Sequence, residues 1–315
     1  MNRLSLIATP LKLTNWQEPF QYQFFRHGMV AAILVGALCG LIGVYVVLRR
    51  MSYIGHGLSH SIFGGAVVSY VMAWNFYLGA GAWGFLSALL INAVARRKKI
   101  GADAAIGIIT TASFALGVAI ISKRRSFTRN FEAALFGNIL GVNTRDVWII
   151  AGVTAVVALA VFFGYKQLLF TTFDADIARI YGVPIGWVDA GFALALAATI
   201  VASINIVGVT LIAAAIVIPP TTARLVTDSF GPMIIISTVL GALYGGVGMY
   251  LSYQLDIASG AAIVLLAAIV FAITIALTSL RHWVQVHRGA EARVRQPLAP
   301  VSAGPAPALD HHLLD

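Results

Sequence analysis

The sequence predicts an all-α, polytopic membrane protein, and its composition and charge pattern support this fold class. Of its 315 residues, 59% are hydrophobic and 10% are charged, whereas a soluble domain carries roughly a quarter charged residues. The charged residues lie between long uncharged stretches. A helix needs about 20 apolar residues to cross a bilayer. We therefore expect a bundle of transmembrane helices.

Nine stretches have the length and composition of a membrane span. They are residues 29–48, 54–74, 76–95, 104–122, 147–165, 190–207, 208–223, 231–255 and 257–280. Residues 190–223 carry no charge and form either two short helices or one span followed by a piece broken at Pro219-Pro220. The prediction is therefore eight or nine spans.

Three segments follow from this pattern. Residues 1–27 form a polar N-terminal segment, residues 28–282 a transmembrane domain, and residues 283–315 a polar, proline-containing tail that is expected to be disordered. The adjacent histidines of that tail, His311 and His312, are a weak metal-binding candidate. The single cysteine, Cys39, cannot form a disulfide within the chain and is expected to be a packing residue.

The distribution of Lys and Arg predicts the orientation. With the N-terminus outside, Arg49, Arg50, the basic residues at 96–99 and the tail lie in the cytoplasm, as the positive-inside rule requires. The basic residues between Lys123 and Arg129 then lie outside, against the rule. The net charge of +9 is explained by this topology and is not an indication of nucleic-acid binding.

Two histidines in the second predicted span are the candidate metal ligands. His56 and His60 are separated by four positions, which puts them about 40° apart on one face of a helix. Imidazole pairs can hold a divalent metal, although a hydrogen-bonded structural role is the alternative. A metalloprotease is excluded because Gly57, Leu58 and Ser59 lie between them, so the glutamate base of His-Glu-x-x-His is missing.

A short helix is predicted in the loop after the fifth span. Thr172 or Asp174 can begin it, Asp176 lies in its first turn, Gly182 can adopt the left-handed conformation that ends it, and Pro184 prevents its continuation. Such a helix is too short to be stable alone and must contact something.

The candidate docking residues lie in this loop helix, where Ile177, Ile180 and Tyr181 form an apolar cluster at helical spacing. They are Asp174, Asp176, Ile177, Ala178, Arg179, Ile180, Tyr181 and Gly182. The helix packs either on the protein's own cytoplasmic face or on a separate ATPase, and a bulky residue at Ala178 is expected to block that docking. The chain has no phosphate-binding G-x-x-x-x-G-K-S/T sequence, so any ATP must be bound by a partner.

Three local features complete the prediction. Residues 130–141 are interpreted as a short interfacial segment. Asn143 or Thr144 is expected to cap the next helix, with Asp146 in its first turn. Glycine pairs at 36 and 40 and at 241 and 245 predict close helix contacts.

Several of these segments, in matching order, resemble the permease subunits of ABC importers for manganese, zinc and iron. The resemblance lies in residues 49–65, 135–138, 174–182 and 207–224. It implies a homodimeric, type II-like importer permease in the bacterial cytoplasmic membrane. An ATP-binding subunit would drive it, an extracytoplasmic metal-binding protein would supply the metal, and the permease would need no cofactor besides the transported ion.

The chain departs from the family pattern at one metal-path position. In that family the second span reads Gly-Asp-x-x-Ser/Ala-His, with both the carboxylate and the histidine thought to line the path. His60 matches the histidine, but His56 replaces the aspartate and Gly64 stands where proline is frequent. Two imidazoles suit zinc, copper, nickel or ferrous iron somewhat better than manganese. Manganese stays among the candidate metals.

A proton-coupled secondary transporter or channel is the alternative function. Such a carrier relays protons through carboxylates inside the membrane. Here Asp189 and Asp256 lie at span ends. This placement favours the importer, which is a transport subunit rather than an enzyme.

Overall fold

The computed structural model describes residues 17–95, 102–123, 135–137 and 141–295. Within those residues the regular elements are all helices. They are α1 (Glu18–Gln21), α2 (Gln23–Leu48), α3 (Ser52–Val71), α4 (Phe76–Ala95), α5 (Ala102–Lys123), α6 (Thr144–Phe163), α7 (Tyr165–Phe173), α8 (Ala175–Ile180), α9 (Ile185–Val207), α10 (Ile212–Val226), α11 (Phe230–Leu255) and α12 (Ser259–Arg295). The predicted all-α fold class is confirmed.

The segment boundaries differ from the predicted ones. The first compact unit ends at Ile275 and the second begins at Ala276. α2 begins at Gln23, before the predicted boundary at residue 28. α12 continues to Arg295, so the start of the predicted disordered tail is helical. Residues 296–315, with His311 and His312, lie outside the described residues.

Membrane-spanning helices account for most of the described chain. Seven are long and apolar enough to cross a membrane, namely α2, α4, α5, α6, α9, α11 and residues 259–281 of α12. α3 has 20 residues and is long enough to span, but with His56 and His60 in it the helix is not among the seven most apolar ones. α10 has 15 residues, which gives about 22 Å of helix against a hydrocarbon core of about 30 Å. Residues 190–223 therefore form one full span and one short helix.

The short helix α10 continues through Pro219 and Pro220 instead of breaking there. Two prolines remove two backbone donors, and neighbouring groups must compensate for them in a membrane. Thr221 and Thr222 donate their hydroxyls to the carbonyls of Val217 and Ile218 at 2.6 and 2.8 Å. These bonds add side-chain donors to the last turns of the helix, whereas the carbonyls that lose a donor at Pro219 and Pro220 are those of Ala215 and Ile216, four residues earlier.

α2 is the central helix of the first unit, where it packs against α3, α6, α9, α10 and α11. Its glycines face the backbones of its neighbours. A Cβ added at Gly36 would collide with the Gly241 carbonyl, and one added at Gly40 with the Ser237 carbonyl. Ser237 also donates its hydroxyl to the Gly40 carbonyl at 2.7 Å. The predicted close glycine contacts are confirmed.

Cys39 lies on the same helix and is buried, with its Sγ atom 3.6 Å from the Ser203 hydroxyl of α9. The prediction of a packing role is therefore confirmed.

The predicted cap of α6 is also present. Asn143 accepts a bond from the Asp146 amide and Asp146 accepts one from the Asn143 amide, each at 3.1 Å. The Asp146 carboxylate also accepts from the Tyr77 hydroxyl at 2.9 Å, and the Asn205 amide donates to Tyr77 at 3.0 Å. One cap therefore joins α4, α6 and α9.

We predict that Gly36→Ala destabilises the protein by about 1–3 kcal/mol, because the new methyl group overpacks the contact between α2 and α11. Thermal unfolding in detergent measures this loss. Gly152→Ala is the matched control, since a Cβ at Gly152 meets no atom within 4 Å. Equal melting temperatures for the two variants would contradict the prediction.

Candidate functional site

The two predicted metal ligands lie together on α3. The ring centroids of His56 and His60 are 4.6 Å apart, with 76° between the ring planes. Bonds from imidazole nitrogen to zinc are about 2 Å long. Small rotations of these side chains therefore suffice to direct one nitrogen of each ring at a single ion.

Aromatic side chains border the pair on both sides. The Tyr53 ring lies 6.0 Å from His56, and the Phe114 ring of α5 lies 5.0 Å from His60. Gly64 brings these helices together, because a Cβ there would collide with the Ser113 carbonyl of α5. The close approach explains why a small residue suits the position where the family pattern often has proline.

The hydrogen bonding of His60 bears on its role. Its Nδ1 atom is buried and has no hydrogen-bond partner among the described residues. A structural histidine in a core is expected to have its ring nitrogens satisfied. Among those residues, this nitrogen of His60 is therefore not used in a structural hydrogen bond.

No third ligand joins the pair within the residues that the structure describes, because no group of three or more His, Cys, Asp or Glu side chains converges there. Zinc in proteins commonly has four ligands. Within those residues the pair therefore stands as two candidate ligands on one helix.

The predicted loop helix is α8, and its ends have the predicted chemistry. The Asp174 carboxylate accepts hydrogen bonds from the amides of Asp176 and Ile177 at 3.0 and 2.9 Å, so Asp174 is the N-cap and Thr172 is not. Gly182 has φ = +75°, the left-handed conformation that glycine adopts without strain. α9 begins directly after Pro184.

The apolar side chains of α8 are mostly uncovered. Exposed fractions are 44% for Ile177, 83% for Ile180 and 76% for Tyr181. Asp176 and Arg179 form an exposed ion pair at 3.5 Å. The Tyr181 ring lies 6.2 Å from the Phe170 ring of α7, so this face packs only in part on the protein's own surface.

Ala178 requires a correction, because it is fully buried. The Val183 amide donates to the Ala178 carbonyl at 3.0 Å, which folds the following turn back over this residue. A bulky side chain at Ala178 would therefore dislodge α8 from its own chain and not block an external partner directly. The sequence could not reveal which face of so short a helix points inward.

Two of the motif segments contact each other at the bundle end opposite to Arg49. The Leu135 carbonyl accepts bonds from the Thr210 amide and hydroxyl at 3.3 and 2.7 Å. Gly137 and Gly208 have φ of +84° and +85°, and a Cβ on either would strike the other segment. Residues 135–137 are thus packed on the turn between α9 and α10. The rest of the predicted interfacial segment lies largely outside the described residues.

Sequence reasoning missed a polar cluster around Arg49. The sequence indicated a topological charge at this residue, at the start of the motif segment 49–65, but its side chain is 9% exposed and forms an ion pair with Asp189 at 2.8 Å. It also donates to the hydroxyls of Thr171 and Thr172. An arginine at a span end gives no sequence signal of such distant partners.

Comparison with known proteins decides the family. The profile of the ABC 3 transport family matches residues 21–278. The chain belongs to the ABC 3 transport family. Together with its seven apolar helices, this makes it a multi-pass permease of the bacterial cytoplasmic membrane.

Two transport proteins from other bacteria are similar in sequence over most of the chain. The manganese transport system membrane protein MntC of Halalkalibacterium halodurans is 36% identical over 258 residues, which are 82% of this chain and 88% of that protein. A probable iron transport system membrane protein of Haemophilus influenzae is 36% identical over 254 residues, which are 81% of this chain and 90% of that protein.

Solved structures show the same architecture. PsaBC from Streptococcus pneumoniae in complex with Fab matches with a TM-score of 0.75 and 33% identity, over 82% of this chain and 94% of that one. An inward-facing putative metal-chelate type ABC transporter matches with a TM-score of 0.61 over 78% of this chain and 84% of that one. At 17% identity, the second likeness supports the fold alone.

Proposed function

We propose that this chain is the membrane permease of an ATP-driven importer for a divalent transition-metal ion. The observation that carries the proposal is the pair of imidazoles on α3, in which His60 has a buried nitrogen with no partner in the described part of the chain. Membership of the ABC 3 transport family and relatives named for manganese and iron transport support it.

The permease needs partners for this activity. A cytoplasmic ATP-binding subunit would supply the energy, and α8 would dock on it through Ile177, Ile180 and Tyr181. An extracytoplasmic metal-binding protein would deliver the ion. A second permease copy would bring another pair of imidazoles, which makes four nitrogen ligands for an ion between the two copies.

The metal is expected to be a first-row divalent cation. Relatives point to manganese and iron, whereas two imidazoles favour later metals such as zinc over manganese. A site without a carboxylate leaves the charge of the ion uncompensated, which weakens binding and eases release. We therefore propose that manganese, ferrous iron and zinc are all candidate substrates.

His60→Ala is expected to lower metal uptake about tenfold or more, because it removes a ligand from the path. Uptake of isotopic manganese, iron and zinc by cells that express the complete transporter measures this effect. His27→Ala is the matched control, since His27 lies near the start of α2. Wild-type uptake by the His60 variant, with normal amounts in the membrane, would overturn the assignment.

His56→Asp is expected to raise manganese uptake relative to zinc uptake, since a carboxylate oxygen suits manganese better than an imidazole nitrogen does. Competition between the two isotopes gives the ratio directly. His56→Asn keeps a similar size without a charge and serves as the control. If the ratio stays at its wild-type value in the aspartate variant, His56 does not touch the ion.

Ile180→Asp is expected to weaken binding of the ATP-binding subunit about tenfold or more, because it places a charge in the centre of an apolar contact. Co-purification at increasing salt and detergent measures the association. Val226→Asp is the control, since Val226 is an exposed apolar side chain at the same end of the bundle. Equal recovery of the partner with both variants would show that α8 is not the docking element.

A further inference from the structure

Each of the three nitrogens of the Arg49 guanidinium group donates a hydrogen bond to a side chain. Nη1 donates to Asp189 at 2.8 Å, Nη2 to the Thr171 hydroxyl at 2.7 Å and Nε to the Thr172 hydroxyl at 3.1 Å. The group also lies 4.6 Å above the Phe192 ring. Such a planar fork fixes the relative positions of its partners more tightly than a point charge would.

These partners lie on both sides of α8. Thr171 and Thr172 are in the last turn of α7, just before the Asp174 cap, and Asp189 is in the second turn of α9. Between them, the Gly182 amide donates to the Arg179 carbonyl and the Trp187 amide to the Pro184 carbonyl. The chain from 171 to 189 is thus a continuous hydrogen-bonded loop that Arg49 holds at both ends.

Arg49 follows the last residue of α2 and lies three residues before the histidine helix α3. Its amide donates to the Tyr45 carbonyl at 3.0 Å, and the Met51 amide donates to the Val46 carbonyl at 2.9 Å. α3 begins at Ser52, and His56 lies one turn further. Only Arg50 and Met51 separate Arg49 from α3, so a movement of the Arg49 backbone reaches the start of α3 through two residues.

We propose that Arg49 is a positioning residue for transport, which carries movement of the α8 loop to the start of α3 and so to His56 and His60. The inference rests on the proposed function of α8 and of the histidine pair. It adds the physical connection between them, namely one buried cation held by Thr171, Thr172 and Asp189.

Coupling would then depend on the bonds between Arg49 and the threonines and not only on the presence of a charge at residue 49. Replacing both threonines by valine keeps the shape of each side chain and leaves the ion pair between Arg49 and Asp189 in place. It removes the two hydrogen bonds from the guanidinium to α7, the helix that precedes the docking helix α8. The expected effect is a loss of coupling with little loss of assembly.

The test uses the complete transporter in proteoliposomes, with the number of metal ions imported per ATP hydrolysed as the readout. The Thr171→Val/Thr172→Val variant is expected to hydrolyse ATP but to import about fivefold fewer ions per ATP, or fewer still. Thr154→Val/Thr238→Val is the matched control, since these threonines donate to carbonyls four residues earlier, at 2.8 Å, as Thr172 does at 2.6 Å.

Melting temperature, measured in parallel, separates positioning from a purely structural role. A lower melting temperature with an unchanged number of ions per ATP would overturn the inference, as would wild-type values of both. If the double variant does not assemble, Thr171→Val alone is measured in the same way. Absence of ATP-driven uptake by the wild-type transporter would instead contradict the proposed function, so the two failures are distinguishable.

Discussion

Backbone contact at glycine is the constraint on which the rest of this structure depends. Lipid tails are as apolar as leucine, so helices in a membrane gain stability mainly from close packing. Around α2 this packing requires that Gly36 and Gly40 present no side chain to α11, and that Gly43 present none to the Ile216 carbonyl of α10. Pro220 removes the amide donor that would bond the Ile216 carbonyl within α10, and the glycine lets this carbonyl approach α2. α10, which contains two prolines, can therefore pack closely against α2.

The same kind of contact places the site, because Gly64 sets α3 against α5 and leaves the two histidines on a face bordered by Phe114. Much of this fold could be predicted from the sequence. Span lengths follow from the thickness of the bilayer, and the glycine spacing indicates which helix faces are close. The sequence could not predict that α10 would continue through two prolines, since the close approach of the Ile216 carbonyl to Gly43 of α2 depends on the folded bundle.

The site was predictable where its chemistry is local. A spacing of four residues places His56 beside His60, and an aspartate before an apolar turn caps α8. It was not predictable where the partners are distant. Arg49 lies 122 and 140 residues from Thr171 and Asp189, and the inward face of α8 at Ala178 depends on the turn that follows it. The sequence also could not show that Ile180 and Tyr181 are largely exposed on α8.

The central claim is that a metal ion passes the imidazoles of α3 on its way through the permease. X-ray absorption spectroscopy of the zinc-loaded transporter, arrested with a non-hydrolysable nucleotide, examines the bound ion itself. The account predicts a first shell with at least two nitrogen ligands at about 2.0–2.1 Å that show the outer-shell scattering of imidazole, and loss of that scattering when His56 and His60 are both replaced by alanine. A shell of oxygen ligands alone, identical in the wild type and the double variant, would contradict it.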